Sequence, residues 1–419
     1  MKLGNFCEGS YPTGLFYFTR ELWTDEGVKQ AADTGANFLA SAETSEPLVS
    51  LCEKYRLGII SNSNVKPSWW GGDGKNAGTY ADQFPVEILD KIDAYPASSS
   101  VWGDYFIDEP NSKDFAHINK VIARYRERFP GKLALVNLYP NYGSIPKNTG
   151  EEIIQQLGNT GYAEHIDQYI EQVDLPYLCF DFYPFTGSFN TYLENLDSAA
   201  RACKKSNREM WVVIQAGAWT QEEILEAFQL DWQVNMCLAW GARAIMFACY
   251  SKGWWNETTS CVNNQGEKNK TWDYVRDIIS VLHSDLGREF QKYEYLYTRI
   301  FGDMDFADSR IKHQLERQNK TDIPQGFPEI KITGDRAIAA GFFKNKEGFA
   351  LMITNTHNPF DGSITANVRI NNKETTLDLA LPAGGGEFIT LTENGCICSH
   401  FGNQKMVQTH QLQNQKIST

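Results

Sequence analysis

Val101-Trp102-Gly103-Asp104-Tyr105-Phe106-Ile107-Asp108-Glu109-Pro110 is a run of strand length, apolar and aromatic, that stops at two adjacent carboxylates. Pro110 has no N–H to give to a ladder, so the strand must end there and its acids stand at a strand mouth. Burial beside aromatic rings disfavours the charged form, and each carboxylate disfavours ionisation of the other. At least one of the two should therefore stay protonated towards neutral pH.

The same unit, an apolar strand closing on polar residues and then an amphipathic helix, recurs on both sides. Upstream, Leu3–Cys7 reads as a short first strand, Asn37–Ser41 as a second and Gly58–Asn62 as a third. Helices open at Thr24, with Asp25 and Glu26 suiting the helix dipole, run from Pro47 to Tyr55, and run from Tyr80 to about Tyr95. Downstream, strands at 133–137, 177–184, 210–215 and 242–250 alternate with helices at 113–129, 163–173 and 191–205, and Thr220-Gln221-Glu222-Glu223 reads as the capping box of a long helix ending at Trp240. About eight such units fill residues 1 to 290. Near-continuous apolar strands between helices imply a parallel sheet covered on both faces, and eight units imply a closed (β/α)8 barrel. A doubly wound open sheet is the alternative; it lacks support because no Gly-x-Gly-x-x-Gly turn follows the first strand.

After about Arg299 the period changes to two. Short alternating runs separated by Lys344–Gly348, Asn371-Asn372 and Gly384-Gly385-Gly386 predict a small antiparallel β-sandwich. The expected organisation is a catalytic barrel over 1–300, a sandwich over 303–395 and a polar tail over 396–419.

Composition sets the outer limits. A net charge of −13 and the absence of any basic run argue against nucleic acid as a partner. No stretch approaches the roughly 18 apolar residues of a membrane span. An exported protein, secreted or periplasmic, is the expectation, with any signal peptide absent from this chain. Nine cysteines, most of them inside apolar patterns, read as small buried hydrophobes, and Cys396-Ile-Cys398 lacks the second pair of a zinc site. No metal and no organic cofactor is called for, and the oligomeric state is left open. With 13% aromatic residues, including 11 Trp, rings remain for a binding surface after a core is filled.

In a barrel the C-terminal strand ends converge on one mouth. The polar residues there are Glu43, Asn62, Asp104, Asp108, Glu109, Asn137, Tyr139, Asp181, Tyr183, Gln215 and Tyr250. Strict alternation puts Asp108 and Glu109 on opposite faces, so both reach the mouth only if the strand has ended by Asp108. Asp181 and Tyr183 are two apart and point to one side. An amide at Gln215 can hydrogen-bond a substrate and cannot act as nucleophile or base. Trp69, Trp70 and Trp219 are candidate platforms for sugar rings, with loop packing as the alternative for each; His117 and His165 sit in helices and read as packing residues.

At these residues the chain resembles the retaining glycoside hydrolases built on (β/α)8 barrels. Asp108-Glu109-Pro110 is similar to the Asn-Glu-Pro of the large cellulase and β-galactosidase clan, whose Glu is the acid/base, and Asp181-Phe182-Tyr183-Pro184 and Trp211–Gln215 look like that clan's sixth and seventh strands. The resemblance implies an O-glycoside hydrolase acting on an oligosaccharide or glycoconjugate, with Glu109 as general acid/base. One departure matters: the clan's seventh strand ends in a glutamate nucleophile, and Gln215 stands at the matching position. The substrate-assisted N-acetylhexosaminidases fit that departure, since they pair Asp with Glu and use the sugar's own 2-acetamido group. There Asp108 would orient the acetamido group, Glu109 would protonate the leaving oxygen and Tyr183 would hydrogen-bond the developing oxazoline. A third route keeps Glu109 as acid and uses Asp181 as nucleophile or base. A reading of a different class is a catalytically inactive barrel that binds carbohydrate.

Overall fold

The computed structural model describes residues 1–62, 78–92, 97–143, 156–187, 189–251, 253–305, 307–318 and 323–402. Eight parallel strands, β1 (Thr13–Phe16), β2 (Phe38–Ala42), β3 (Gly58–Ser61), β4 (Val101–Asp108), β5 (Leu133–Leu138), β6 (Tyr177–Phe182), β7 (Glu209–Gln215) and β8 (Ala242–Ala248), close in chain order. The closing pair is β8 on β1, Ile245 opposite Thr13 through Ala248 opposite Phe16, which excludes the open sheet. The first strand lies later than expected. Leu3–Asn5 is a 3-10 turn, and its neighbour Phe6 stacks on Trp102 at the start of β4 with ring centroids 5.0 Å apart. These apolar residues cover the N-terminal end of the barrel instead of entering its wall.

Around the barrel lie α1 (Asp25–Ala32), α2 (Leu48–Tyr55), α3 (Tyr80–Gln83), α4 (Phe115–Arg128), α5 (Tyr162–Gln172), α6 (Tyr192–Ser206), α7 (Ala227–Ala239), α8 (Lys270–Leu282) and α9 (Asp285–Phe290). Thr24 caps α1 as expected, its hydroxyl accepting from Gly27 N–H at 3.0 Å. Two helices differ from expectation. Pro85 interrupts the one predicted from Tyr80, leaving α3 and a 3-10 turn at Val86–Lys91; Tyr95 lies outside the described residues. Thr220 opens only a 3-10 turn, and the capping box of α7 is made by Glu226 and Gln229, where the buried part of that helix begins.

The rest of the chain is antiparallel. β9 (Glu294–Phe301), β11 (Ile338–Lys344), β12 (Phe349–Asn355), β15 (Gly386–Leu391) and β16 (Ile397–Gly402) form one sheet, ordered β16-β15-β12-β11-β9. β10 (Lys331–Gly334), β13 (Ala366–Asn371) and β14 (Thr376–Leu381) form a second, and α10 (Ser309–Gln318) lies between β9 and β10 in sequence. The strands thus run beyond both ends of the 303–395 span, and β16 falls where a polar tail was expected. A second core, including Phe342, Leu351, Val368 and Ile389, fills the space between the sheets. Phe343, Met352 and Phe388, on the opposite face of the larger sheet, join the core of the barrel. All nine cysteines are free and seven are buried, as small hydrophobes would be.

Candidate active site

The site begins with an irregularity in β4. Its pairing with β5 runs Tyr105 opposite Leu135 and then Ile107 opposite Val136, so Phe106 is an extra residue. Before this bulge Asp104 points outward, accepting from Tyr125 O–H of α4 at 2.9 Å, and Phe106 meets the same tyrosine ring edge-on at 4.8 Å. Tyr105 points into the barrel against Phe16. Without the bulge, Asp108 would share the outward face of Asp104 and Phe106. The bulge resets the parity, and Tyr105 O–H donates to Asp108 Oδ1 at 2.5 Å inside the barrel. Glu109 then adopts a left-handed conformation, φ 48°, while its N–H donates to Asn137 O at 2.8 Å. That turn of the backbone brings the second acid into the same cavity as the first. Tyr17 (φ 69°) and Ser41 (φ 58°), just past β1 and within β2, also line the cavity in left-handed backbone. Such conformations cost energy in residues with a Cβ and collect where a site constrains its side chains.

The cavity is about 1110 Å³. At its base Asn137 Nδ2 donates to Asp108 Oδ1 at 3.2 Å and to Asp181 Oδ1 at 2.6 Å, while Cys179 Sγ–H donates to Asn137 Oδ1 at 3.4 Å and fixes which way the amide points. The two carboxylate oxygens are therefore no farther apart than the sum of those two bonds, under about 6 Å. Burial, and then the charge of Asp108, push Asp181 up to about 7. Burial also raises Asp108, against the opposing pull of its Tyr105 and Asn137 donors. Two buried acids this close disfavour double ionisation, so the pair as a unit holds a proton to higher pH than an exposed carboxyl would.

Aromatic residues make the walls. Tyr183 is half-buried, edge-on to Trp255 at 5.2 Å and tilted against Trp254 at 5.9 Å. Trp219 leans on Trp255 and is 53% exposed, an uncovered ring at the cavity rim. Tyr139 and Tyr142 stand on the β5 side. Of the residues expected at the mouth, Glu43, Asp108, Glu109, Asn137, Tyr139, Asp181, Tyr183 and Trp219 line this one space. Trp69 and Trp70 lie outside the described residues.

Two expected binding residues do not reach it. Gln215 is fully buried: its Oε1 accepts from Phe185 N–H and its Nε2 donates to Gly217 O, both at 2.9 Å, so the amide serves the backbone of the β6 and β7 loops. Tyr250 is fully buried as well and stacks on Phe18 at 5.7 Å, because the chain after β8 turns it into the wall. His117 and His165 hydrogen-bond to the carbonyls of Phe84 and Leu157, as packing residues do. Sequence reasoning missed Phe16, Tyr17, Ser41 and Tyr105. Tyr105 carried a signal only in its i, i+3 spacing to Asp108, which becomes a contact once a strand is bulged. Among the described residues no cluster of three or more His, Cys, Asp or Glu is arranged to hold a metal, and no helix is long and apolar enough to cross a membrane.

No family model matches the sequence, and no curated protein matches it. Solved structures similar to this chain include glycoside hydrolases. They include a putative alpha-L-fucosidase from Bacteroides thetaiotaomicron, 12% identical, TM-score 0.44, covering 65% of this chain and 94% of that one. A family 5 mannosidase from Rhizomucor miehei is 12% identical with TM-score 0.41 over 66% of this chain and 94% of its own. A GH10 xylanase from Thermobacillus composti is 11% identical with TM-score 0.38 over 66% of this chain and 99% of its own.

Proposed function

We propose that this chain hydrolyses O-glycosidic bonds with retention, Glu109 acting as general acid/base and the 2-acetamido group of the sugar acting as nucleophile. The observation that carries this is the entry of two sequence-adjacent acids, Asp108 and Glu109, into one aromatic-walled cavity by a bulge and a left-handed residue. In the first step Glu109 gives its proton to the leaving oxygen as the acetamido oxygen bonds to the anomeric carbon. Asp108, aimed by Tyr105 and Asn137, faces the acetamido N–H and balances the positive charge of the oxazolinium. Tyr183 O–H donates to the acetamido oxygen. In the second step Glu109 takes a proton from water, which opens the ring at the anomeric carbon and restores both groups.

The charge of the site favours this route over a protein nucleophile. The strand end where the similar clan keeps its nucleophile holds Gln215, locked away from the cavity. Burial and the charge of Asp108 raise Asp181 to about 7, and its protonated form is a weak nucleophile. Glu43 is paired with Arg20 at 2.9 Å.

Release of nitrophenol from aryl glycosides with and without a 2-acetamido group tests the proposal. Turnover confined to acetamido sugars, with the product's anomeric configuration retained by NMR, is expected. Glu109→Gln should lower kcat on the accepted substrate by at least about a hundredfold, the scale of a lost general acid. Cleavage of sugars lacking the acetamido group at equal rate would replace substrate assistance with a carboxylate route, and saccharide binding without turnover would leave a carbohydrate-binding barrel.

A further inference from the structure

At the end of the barrel opposite the acids, a cavity of about 740 Å³ opens between the starts of β7 and β8 and the strand β9. It continues past Lys204 and Tyr297 into a smaller one of about 240 Å³. Neither takes part in the chemistry above. Together they are lined by nine Lys and Arg side chains and three Asp and Glu, in a chain whose 39 basic residues are outnumbered by 52 acidic ones. The trough thus reverses the charge balance of the molecule around it. The larger cavity falls within the range of small-molecule sites, about 300–1,000 Å³, and Tyr295 and Tyr297 give it flat apolar surface.

Three of the nine cations are paired: Lys2 with Glu209 at 3.1 Å, Arg201 with Asp197 at 2.6 Å and Lys292 with Glu289 at 2.6 Å. The other six, Lys204, Lys205, Arg208, Arg243, Arg299 and Lys344, have no carboxylate partner among the described residues. Carbonyl oxygens hold four of them. Arg208 donates to Val173 O at 2.9 Å and to Ile170 O at 2.7 Å, and Arg243 donates to Phe290 O and Tyr293 O. Lys204 donates to Leu296 O at 2.7 Å and Arg299 to Thr298 O at 2.8 Å. A carbonyl satisfies an N–H and fixes its direction, but it leaves the positive charge uncancelled. Arg208 and Arg243 are half-buried, where an uncompensated charge costs desolvation energy that a bound anion would return. Part of this has an ordinary structural account, since Lys204 and Lys205 suit the C-terminal end of the α6 dipole. That account covers neither Lys344 at the end of β11 nor the gathering of all six on one concave surface.

We infer that this trough binds a small organic phosphate, because a phosphate monoester concentrates close to two negative charges and three acceptor oxygens on one centre. The inference does not depend on the hydrolytic reading of the acid cavity. Isothermal titration of the full chain with phenyl phosphate, pyrophosphate and benzoate tests it. Phenyl phosphate should bind at least about tenfold more tightly than benzoate, which carries a single charge on the same ring, and pyrophosphate should compete with it. Raising the salt from about 50 to about 500 mM should weaken that binding at least about tenfold. Lys205→Glu combined with Lys344→Glu reverses the charge at two exposed positions whose side chains bond to nothing else among the described residues. The double variant should bind phenyl phosphate at least about tenfold more weakly, with the melting temperature of the unliganded protein and the turnover of aryl glycosides unchanged. Glu109→Gln should bind phenyl phosphate as the parent does. Benzoate binding as tight as that of phenyl phosphate, phosphate binding that survives the double charge reversal, or its loss in Glu109→Gln overturns the inference. A chain that cleaves glycosides and binds no phosphate sinks this proposal and keeps the hydrolase; phosphate binding by a chain that turns nothing over does the reverse.

Discussion

Asp181 separates the mechanisms that the site permits. It is buried, it shares the Asn137 amide with Asp108, and its pKa is raised from 3.8 to about 7. A raised folded-state value means that the protonated form is favoured by folding. The contribution is complete below the unfolded value and fades as pH climbs through about 7. Asp181→Asn keeps the shape and removes the titration. Thermal melts at about pH 5 and about pH 8 should show the unsubstituted chain losing stability relative to Asp181→Asn as pH rises. Turnover of the variant at mildly acidic pH should stay within about tenfold of the parent, since a neutral side chain replaces a neutral acid, and an alkaline limb near 7 should move upward. A drop of more than about a thousandfold would instead make Asp181 the nucleophile. At this scale the sequence was legible in part. Asp181 and Tyr183 share a side because β6 is regular, whereas Gln215 and Tyr250 looked identical to site residues until the loops after their strands took them away.

The decisive element is β4. Alternation alone sends Asp108 outward, and an extra residue leaves no trace in composition or period, so the bulge could not be read from the chain. The need for the strand to end by Asp108 could be read, because Pro110 imposes it. The longer barrel strands stood out as continuous apolar runs; β1, four residues of Thr-Gly-Leu-Phe, did not, and the more apolar Leu3–Cys7 took its place. The close fit of β4 to β5 depends on Gly103, where a Cβ would lie 1.9 Å from Leu133 O. Gly103→Ala must therefore push the two strands apart just below the bulge. The expected cost is at least about 1–3 kcal/mol in urea unfolding. Turnover should fall further than the lost stability explains, because Asn137 on β5 orients Asp108 on β4. A folded Gly103→Ala protein with parental kcat would mean that the bulge holds its register without this contact.

At the scale of the whole molecule, barrel and sheet share one core through α7. Its sequence, Ala-Phe-Gln-Leu-Asp-Trp-Gln-Val-Asn-Met-Cys-Leu-Ala, is apolar around most of its circumference, and eleven of its residues are buried. A helix of that kind needs cover on every side. β7 and β8 supply one side and the larger antiparallel sheet supplies the other, held by Asn235 Nδ2 donating to Gly384 O at 2.6 Å and Thr298 Oγ1 donating to Ala239 O at 2.7 Å. Phe290 packs with Phe343 and Phe388 of the same sheet at 5.1 and 5.4 Å. The change of period after Arg299 announced an antiparallel unit, but its attachment to the barrel is a matter of which faces meet, and that is set by tertiary packing. A chain cut after Lys292 would leave α7 and Phe290 bare over an area large enough to drive association. Such a fragment should be insoluble or melt without a cooperative transition. In the full chain, Gly341→Ala, whose Cβ would lie 2.2 Å from Ala239 O, should lower Tm while keeping a single transition, because barrel and sheet unfold as one unit. Two separate transitions in that variant, or a soluble 1–292 fragment that melts sharply, would show that the barrel stands alone and that α7 tolerates water on its outer face.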